Sequence, residues 1–207
     1  MNEHIPANQT SEEIEYLDYL PAGLEAQAVS CFMDAFEEKL LPLFGSREKA
    51  IRLLAPNLSH ALCLTAFYHN ELVGVLGIHT KDRGFLNPSF LAMLREYGLA
   101  RGMYRFFGLL LIEHTVRKTE WHVEGVAVDA KMRGRGIGTA LLKTFERLAR
   151  EKGMQTISLE VINTNPGAKK LYERLGFGVI RHSSVWPFNH LYAFPFDSSF
   201  LMAKHVK

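Results

Sequence analysis

The segment that most constrains this chain is Arg133-Gly134-Arg135-Gly136-Ile137-Gly138. It follows a strand-like apolar run, Val126-Ala127-Val128, and it opens an amphipathic helix. Glycine permits positive φ and a close approach of the backbone to a ligand. The first turn of a helix has unpaired N–H groups and the positive end of the helix dipole, which together favour phosphate. The sequence therefore predicts a binding site for a phosphorylated ligand.

Composition narrows the class of protein. The chain has 207 residues, 47% of them hydrophobic, so it can bury a sizeable core. The net charge of +2, from 24 basic and 22 acidic residues, argues against a nucleic-acid binder. Two cysteines, Cys31 and Cys63, both in apolar runs, are typical of a reducing compartment. The start of the chain does not resemble a signal peptide, and no apolar run has the ~20 residues needed to span a bilayer. We therefore expect a cytoplasmic protein with no membrane partner.

Strand-like and helix-like segments alternate, which predicts a single α/β or α+β domain over residues 1–207 with a flexible leader at 1–12. Expected strands lie near 14–20, 61–68, 72–79, 121–128, 156–162, 177–180 and 200–205, and expected helices near 23–44, 46–54, 137–151 and 166–175. His69-Asn70 indicates a tight hairpin turn. Residues 81–119 are expected to be a helical insertion whose second helix runs from about 100 to 117.

Three types of glycine-rich phosphate-binding loop are alternatives for residues 133–138. The dinucleotide-binding pattern G-x-G-x-x-G/A fails because Leu141 stands where a small residue is needed. The nucleoside-triphosphate loop fails because no Gly-Lys-Ser/Thr occurs. The pattern R-x-x-G-x-G fits at Arg133, Gly136 and Gly138.

This pattern resembles the pyrophosphate-binding loop of the GCN5-related N-acetyltransferases (GNAT). A second motif downstream is similar to the family's closing strand, asparagine turn and helix: Leu159-Glu160-Val161, Asn165, Ala168, Leu171-Tyr172-Glu173 and Leu175-Gly176-Phe177. The two motifs cover about residues 121–180. The resemblance implies a mixed, mostly antiparallel central sheet with one splayed strand pair and helices on both faces.

The resemblance also implies acetyl-CoA as the cofactor. The nine histidines show no metal-ligand spacing, so no metal is expected. The pyrophosphate would bind to backbone N–H groups of the loop, aided by two arginines, and the pantetheine arm would bind along the strand before it. The expected cofactor-binding residues are Val126, Ala127, Val128, Arg133, Gly134, Arg135, Gly136, Ile137, Gly138, Thr139 and Asn165.

Three residues are candidates for two catalytic roles, a general base and a general acid. A protonated amine must lose a proton before it attacks the thioester. Glu160, five residues before Asn165, is the preferred general base by its resemblance to ribosomal-protein alanine acetyltransferases, and Glu124 is the alternative on the preceding strand. Tyr172, seven residues after Asn165, matches the family's general acid, and a phenol can donate a proton to the departing thiolate.

The expected reaction is direct transfer of acetyl from acetyl-CoA to a primary amine of a small molecule or peptide. Residues 81–119 and 182–198 are rich in apolar and aromatic side chains, so we expect them to wall a pocket for an apolar amine or a peptide end. The alternative is a non-catalytic acyl-CoA sensor on the same fold. The apolar stretch 106–112 could be buried within the fold, in a homodimer or in the substrate wall.

Overall fold

A seven-stranded sheet organises the chain. The computed structural model describes residues 14–111 and 114–206. The strands are β1 (Glu15–Leu17), β2 (Cys63–Tyr68), β3 (Glu71–His79), β4 (Glu120–Val128), β5 (Thr156–Ile162), β6 (Gly178–Ser184) and β7 (Ser198–His205). Their spatial order is β1-β2-β3-β4-β5-β7-β6, and all neighbours are antiparallel except β4 and β5.

Seven α-helices connect the strands within the described ranges. They are α1 (Glu25–Phe44), α2 (Arg47–Leu54), α3 (Phe90–Tyr97), α4 (Leu99–Leu111), α5 (Ile137–Glu151), α6 (Pro166–Arg174) and α7 (Phe188–Tyr192). None of these helices combines the length and apolar character needed to cross a membrane.

The parallel pair β4–β5 opens part-way along its length. The ladder runs from Glu120↔Thr156 to Val123↔Leu159 and then stops. Beyond that point β4 stays paired with β3 as far as Val128, and β5 stays paired with β7 to its end. Each strand therefore keeps one neighbour and leaves its facing edge open, which confirms the expected splayed pair in a mostly antiparallel sheet.

Helices cover both faces of the sheet. On one face α1 lies so close to β4 that a Cβ at Gly125 would be 2.5 Å from the Phe36 ring. On the other face, Ile137 and Leu141 of α5 contact Gly74, where a Cβ would lie 3.2 and 3.3 Å from their side chains. The absence of side chains at these two glycines allows the helices to approach the sheet closely, α1 at β4 and α5 at β3.

Local signals in the sequence placed several boundaries correctly. His69 and Asn70 both adopt positive φ, as a two-residue hairpin turn requires. Ser46 and Ser89 accept hydrogen bonds from the first turns of α2 and α3. Asn165 does the same for α6, with Pro166 at its first position.

Other boundaries were predicted wrongly. The described part of α4 ends at Leu111, and 114–117 are not helical, whereas the expected helix reached 117. The first strand is shorter than 14–20, and β6 continues to Ser184 because it keeps pairing with β7 at the sheet edge. The leader 1–12 and Ile112 of the apolar stretch lie outside the described residues.

Candidate active site

The predicted phosphate loop is an exposed turn between β4 and α5. Gly134 and Gly136 have φ of 80° and 79°, and a Cβ added at either would meet no atom within 4 Å. Gly136 is the N-cap of α5, so the N–H groups of the following helical turn face the same open space. Arg133 fixes the loop by donating from Nε to the Val128 carbonyl at 3.1 Å. The guanidinium of Arg135 lies 5.8 Å from the centre of the Tyr68 ring. This geometry is that of an anion-binding turn.

The other predicted cofactor residues flank this loop in the chain, except Asn165, which precedes α6. Val126, Ala127 and Val128 lie on the open edge of β4, and the Ala127 side chain is fully buried. The Ile137 side chain is a core residue, so only its backbone N–H is available to a ligand. Thr139 and Gly138 are partly exposed in the first turn of α5. Asn165 uses Oδ1 to cap α6 at 3.0 Å from the Ala168 nitrogen, and its Nδ2 has no described partner.

A cavity of about 390 Å³, here called the splay cleft, occupies the opening between β4 and β5. It is bordered by α1 on one side and by α6 on the other. Its lining includes Phe36, Lys39, Glu124, Glu160, Asn165, Ala168 and Tyr172. The open edges of both strands and the second motif of the sequence therefore surround one space.

A second cavity of about 320 Å³, here called the apolar pocket, adjoins the splay cleft. Its apolar lining comprises Phe32, Phe36, Leu40, Phe44, Leu54, Leu86, Pro88, Phe106, Leu109 and Leu110. Phe36, Lys39, Glu124 and Glu160 line both cavities, so the two spaces meet at these four side chains. An apolar chamber thus opens onto a charged junction.

The segment 81–119 contributes to this pocket, as expected, through side chains from Leu86 to His114. The expected contribution of 182–198 is wrong for these cavities, since none of its residues lines either one. Instead, Tyr192 stacks on Tyr104 with ring centres 4.5 Å apart and donates to the Tyr104 carbonyl at 2.9 Å. This loop supports the outer side of α4.

Glu124 lies at a β-bulge, because the β3–β4 register shifts between Gly77 and Ile78 and makes Glu124 the extra residue of β4. Its two carboxylate oxygens accept the backbone N–H groups of Phe85 at 3.0 Å and Leu86 at 3.1 Å. His79 Nδ1 lies 3.8 Å from the same carboxylate. A Cβ at Gly84 would fall 1.9 Å from Glu124 Oε1, so only glycine fits there. Glu124 therefore holds the 84–86 loop over the pocket.

Glu160 is the facing carboxylate on β5. Its Oε1 accepts a hydrogen bond from Ser199 Oγ at 2.8 Å, and its Oε2 has no hydrogen-bond partner among the described residues. The side chain is half-buried and reaches the junction of both cavities. The structure thus brings both predicted base candidates to one place, and it leaves an unoccupied acceptor atom on Glu160.

Tyr172 on α6 faces the splay cleft. Its ring lies edge-on to Phe177, with centres 6.2 Å apart, and its hydroxyl has no hydrogen bond to a described residue. Burial raises the pKa of the Tyr172 phenol to about 12. The hydroxyl therefore keeps its proton throughout the neutral range.

Lys39 was missed by the sequence analysis. It lies on α1, three residues after Phe36, and it lines both cavities. Desolvation by burial lowers the pKa of Lys39, and the charges of Glu160 and Glu124 oppose that shift. One lysine in a polar stretch of α1 carries no local signal of a function, so its position could be found only once β4, β5 and α1 were assembled.

A hydrogen-bonded histidine cluster was also missed. His122 Nδ1 is 2.8 Å from Ser158 Oγ, the Ser158 hydroxyl donates to Glu120, and His114 Nε2 is 3.3 Å from the same carboxylate. Burial, and then the neighbouring His114, His79 and Lys39, hold the pKa of His122 well below its ordinary value. Possible metal-ligand atoms of His114, Glu120 and His122 all lie within 4.8 Å of one another, a grouping that their sequence spacing did not indicate.

The two thiols are poor nucleophiles. Burial raises the pKa of the Cys31 thiol to about 11 and raises that of Cys63 further. Neither cysteine lines the splay cleft or the apolar pocket. These environments favour direct acyl transfer over a route through an acetyl-cysteine.

Comparison with known proteins agrees with this geometry. A solved acetyltransferase structure aligns with 93% of this chain and 100% of its own at 21% identity and a TM-score of 0.62. An agmatine N-acetyltransferase structure aligns with 93% of this chain and 99% of its own at 18% identity and a TM-score of 0.58. At these identities, the two structures establish the fold.

Sequence relatives match shorter segments. The mycothiol acetyltransferase of Corynebacterium aurimucosum is 40% identical over 74 residues, which are 36% of this chain and 24% of that enzyme. The chain thus matches only about a quarter of the length of this curated relative. The model of the acetyltransferase (GNAT) family matches residues 23–177, from the start of α1 to the end of the second motif. The chain belongs to the GNAT family of acetyltransferases.

Proposed function

We propose that this protein is an N-acetyltransferase that transfers the acetyl group of acetyl-CoA directly to a primary amine of a small molecule or peptide. The observation that carries the proposal is the meeting of the splay cleft and the apolar pocket at Glu124 and Glu160. Acetyl-CoA bound in the splay cleft and an amine bound in the apolar pocket would bring the thioester and the amine together beside these two carboxylates.

The residues present fit acetyl-CoA. Gly134 and Gly136 leave open space where a side chain would block a pyrophosphate, and the helix N-terminus and two arginines supply positive charge. The open edge of β4 from Val126 to Val128 offers backbone groups to the amides of a pantetheine arm. When bound, acetyl-CoA supplies an activated acyl group with a thiolate leaving group.

Glu160 is the proposed general base. It lines the junction and has a free carboxylate oxygen among the described residues, whereas both oxygens of Glu124 accept backbone N–H groups. Glu160 would take the proton of the incoming amine directly or through one water molecule. Glu124 remains the alternative base, since it lines the same junction and His79 lies beside it.

Tyr172 is the proposed general acid. Its hydroxyl keeps its proton and has no competing hydrogen bond in the described structure. A phenol with a pKa of about 12 is a weak acid toward a solvated thiolate. Because a thiolate formed beside the buried Tyr172 hydroxyl would also be desolvated, its proton affinity would rise in parallel, and transfer from Tyr172 stays feasible.

The alternative of a non-catalytic acyl-CoA sensor is less well supported. A protein that only binds the cofactor needs neither a carboxylate with a free oxygen nor a protonated phenol beside the cleft. Both groups line the space in which the reaction would occur.

The test is acetyl-CoA-dependent thiol release with a panel of primary amines, followed by mass spectrometry of the products. We expect acceptor-dependent thiol release and an N-acetyl product, with apolar amines preferred over polyamines. Tight acetyl-CoA binding without turnover on any amine would support the sensor and contradict the enzyme. Turnover that is fastest with spermidine would contradict the apolar acceptor.

A further inference from the structure

Lys39 is a cation at the point where the donor and acceptor spaces meet. It projects from α1, and the contact of α1 with Gly125 of β4 fixes the height of the helix above the sheet. Within the described ranges, Lys39 has no hydrogen bond or ion pair, although the charges of Glu160 and Glu124 act on it. Lys39 is half-buried. Charges that are removed from water are usually paired, so an ammonium at a cavity wall with no hydrogen bond or ion pair to the described residues requires a reason.

Three other cations near α1 already have partners among the described residues. Arg47 forms an ion pair with Asp34, and Arg105 donates to the carbonyl oxygens of Pro42 and Leu43 at 3.1 and 2.7 Å. Arg52 pairs with Glu96 at 2.8 Å. Lys39 differs from these three side chains because it lines the splay cleft and the apolar pocket.

The junction therefore offers three charges of two signs beside an apolar chamber. Glu160 and Glu124 suit an ammonium or a neutral amine, and Lys39 suits an anion of the same molecule. Nine further apolar or aromatic side chains line the remainder of the pocket and suit an apolar body. The polar side chains in that part of the lining are His79, Asn87, His114 and His122. A carboxylate held next to the amine would satisfy Lys39 without placing an anion among the apolar walls.

We propose that the acceptor carries a carboxylate close to its amine, as an apolar amino acid does, and that Lys39 binds this carboxylate. This inference rests on the proposed function and narrows its substrate class. A bound carboxylate would also stabilise the charged form of Lys39, which burial disfavours.

The test compares matched acceptors that differ only in the carboxylate: L-phenylalanine with L-phenylalaninamide, and L-leucine with L-leucinamide. The amides have the more acidic ammonium groups and so the larger neutral fraction at pH 7.5, which biases reactivity toward them. We nevertheless expect wild type to have about a 10-fold higher kcat/KM for the amino acids, because a charge-assisted hydrogen bond is worth at least that factor.

The variant Lys39→Met removes the charge and keeps the apolar stem. It is expected to lower kcat/KM for the amino acids by about 10-fold to 100-fold while the amides change less than about threefold. Lys39→Arg should retain part of the preference for the amino acids. The exposed Lys143 on α5 provides the control variant Lys143→Met, which should leave both acceptor types unchanged.

Several results would overturn the inference. If the wild-type enzyme acetylates the amides and not the amino acids, the proposed recognition of an acceptor carboxylate is wrong, and the proposed function is unaffected. A Lys39→Met variant that raises the KM for acetyl-CoA, with equal losses for both acceptor types, would assign Lys39 to the donor. Intact-protein mass spectrometry that finds Lys39 itself acetylated would make it an acceptor. Failure of every amine would remove the proposed function, and this inference with it.

Discussion

Glu124 and Glu160 are the first residues beyond the end of the β4–β5 ladder, one on each strand. The last paired positions are Val123 and Leu159, so these carboxylates would face each other had the ladder continued. Both line the splay cleft and the apolar pocket. The opening of the sheet therefore creates the splay cleft and places two acidic groups at its apex.

These two carboxylates have different surroundings. Glu124 is bound to the backbone of the 84–86 loop, and Glu160 is bound to one hydroxyl. We therefore assign Glu124 mainly to the shape of the pocket and Glu160 to proton transfer.

Glu124→Gln tests the first assignment. An amide nitrogen would face a backbone N–H of Phe85 or Leu86 and leave that donor unpaired, which costs about 1–3 kcal/mol. We expect the free energy of urea unfolding to fall by that amount and the acceptor KM to rise, while kcat changes little. Glu151→Gln is the control, because the exposed pair of Glu151 with Arg147 contributes only about 0.5 kcal/mol. A loss of kcat without loss of stability would instead make Glu124 the base.

Tyr172→Phe tests the general acid. The lost hydroxyl has no described hydrogen-bond partner, so the thermal midpoint should stay nearly unchanged while kcat falls by about 10²-fold. Because the pKa of Tyr172 is about 12, the phenol stays protonated from pH 6 to 9, and the loss of kcat should be constant across this range. Stopped-flow measurement of thiol release at each pH gives this loss of kcat. Wild-type rates in the phenylalanine variant would remove Tyr172 from the mechanism.

Gly136→Ala tests the anion-binding turn. A non-glycine residue at φ 79° costs about 1–2 kcal/mol, and the added methyl would enter the open space that a pyrophosphate needs. We expect acetyl-CoA to bind about tenfold more weakly by calorimetry.

Gly153→Ala is the matched control for this substitution. Gly153 has φ 74° and equally open surroundings, but it follows the far end of α5. It should lose similar stability and keep its affinity for acetyl-CoA. Equal loss of affinity in both variants would mean that backbone strain alone, and not the turn's contact with the cofactor, is responsible.

The buried His122 should make stability depend on pH. Its folded-state pKa is held well below 6.5 by burial, so the unfolded chain takes up a proton first as the pH falls. The stability that neutral His122 provides is complete above about pH 6.5 and is lost as the pH drops below that value. A single proton contributes at most about 1.4 kcal/mol per pH unit.

Urea unfolding between pH 7.5 and 5.5 measures this dependence. His122→Gln should lose less stability than wild type over this interval, whereas His190→Gln, at an exposed position, should follow wild type. Parallel curves for wild type and the His122 variant would show that another group controls acid sensitivity.

The sequence predicted those parts of the site that local chemistry determines. The glycines and arginines of the loop at Arg133–Gly138 and the Asn165-Pro166 cap act within a few residues, so their pattern indicates their geometry. The splayed strand pair followed from the family resemblance that these motifs carry, and the structure confirms it.

The rest depends on contacts between distant segments. Lys39 meets Glu160 only after α1 packs over β4, and His114, His122 and Ser158 come together only across the parallel pair. The loop at 182–198 has the aromatic composition of a pocket wall, but its Tyr192 packs on Tyr104 because α4 presents a complementary ring there. Composition could not determine which surface such a loop would cover.

The homodimer and the single-domain organisation stay predictions.

The most direct test of the account is the rate of thiol release by Glu160→Gln with saturating acetyl-CoA and an apolar primary amine such as phenethylamine. The glutamine can still accept the Ser199 hydrogen bond, so the fold and acetyl-CoA binding should be preserved. We predict that kcat/KM for the amine falls by about 10²-fold to 10⁴-fold at pH 7 and partly recovers at higher pH, where more of the amine is neutral. A kcat/KM within about twofold of wild type at pH 7 would contradict the central claim that transfer takes place at the apex of the splayed strands with Glu160 as the base.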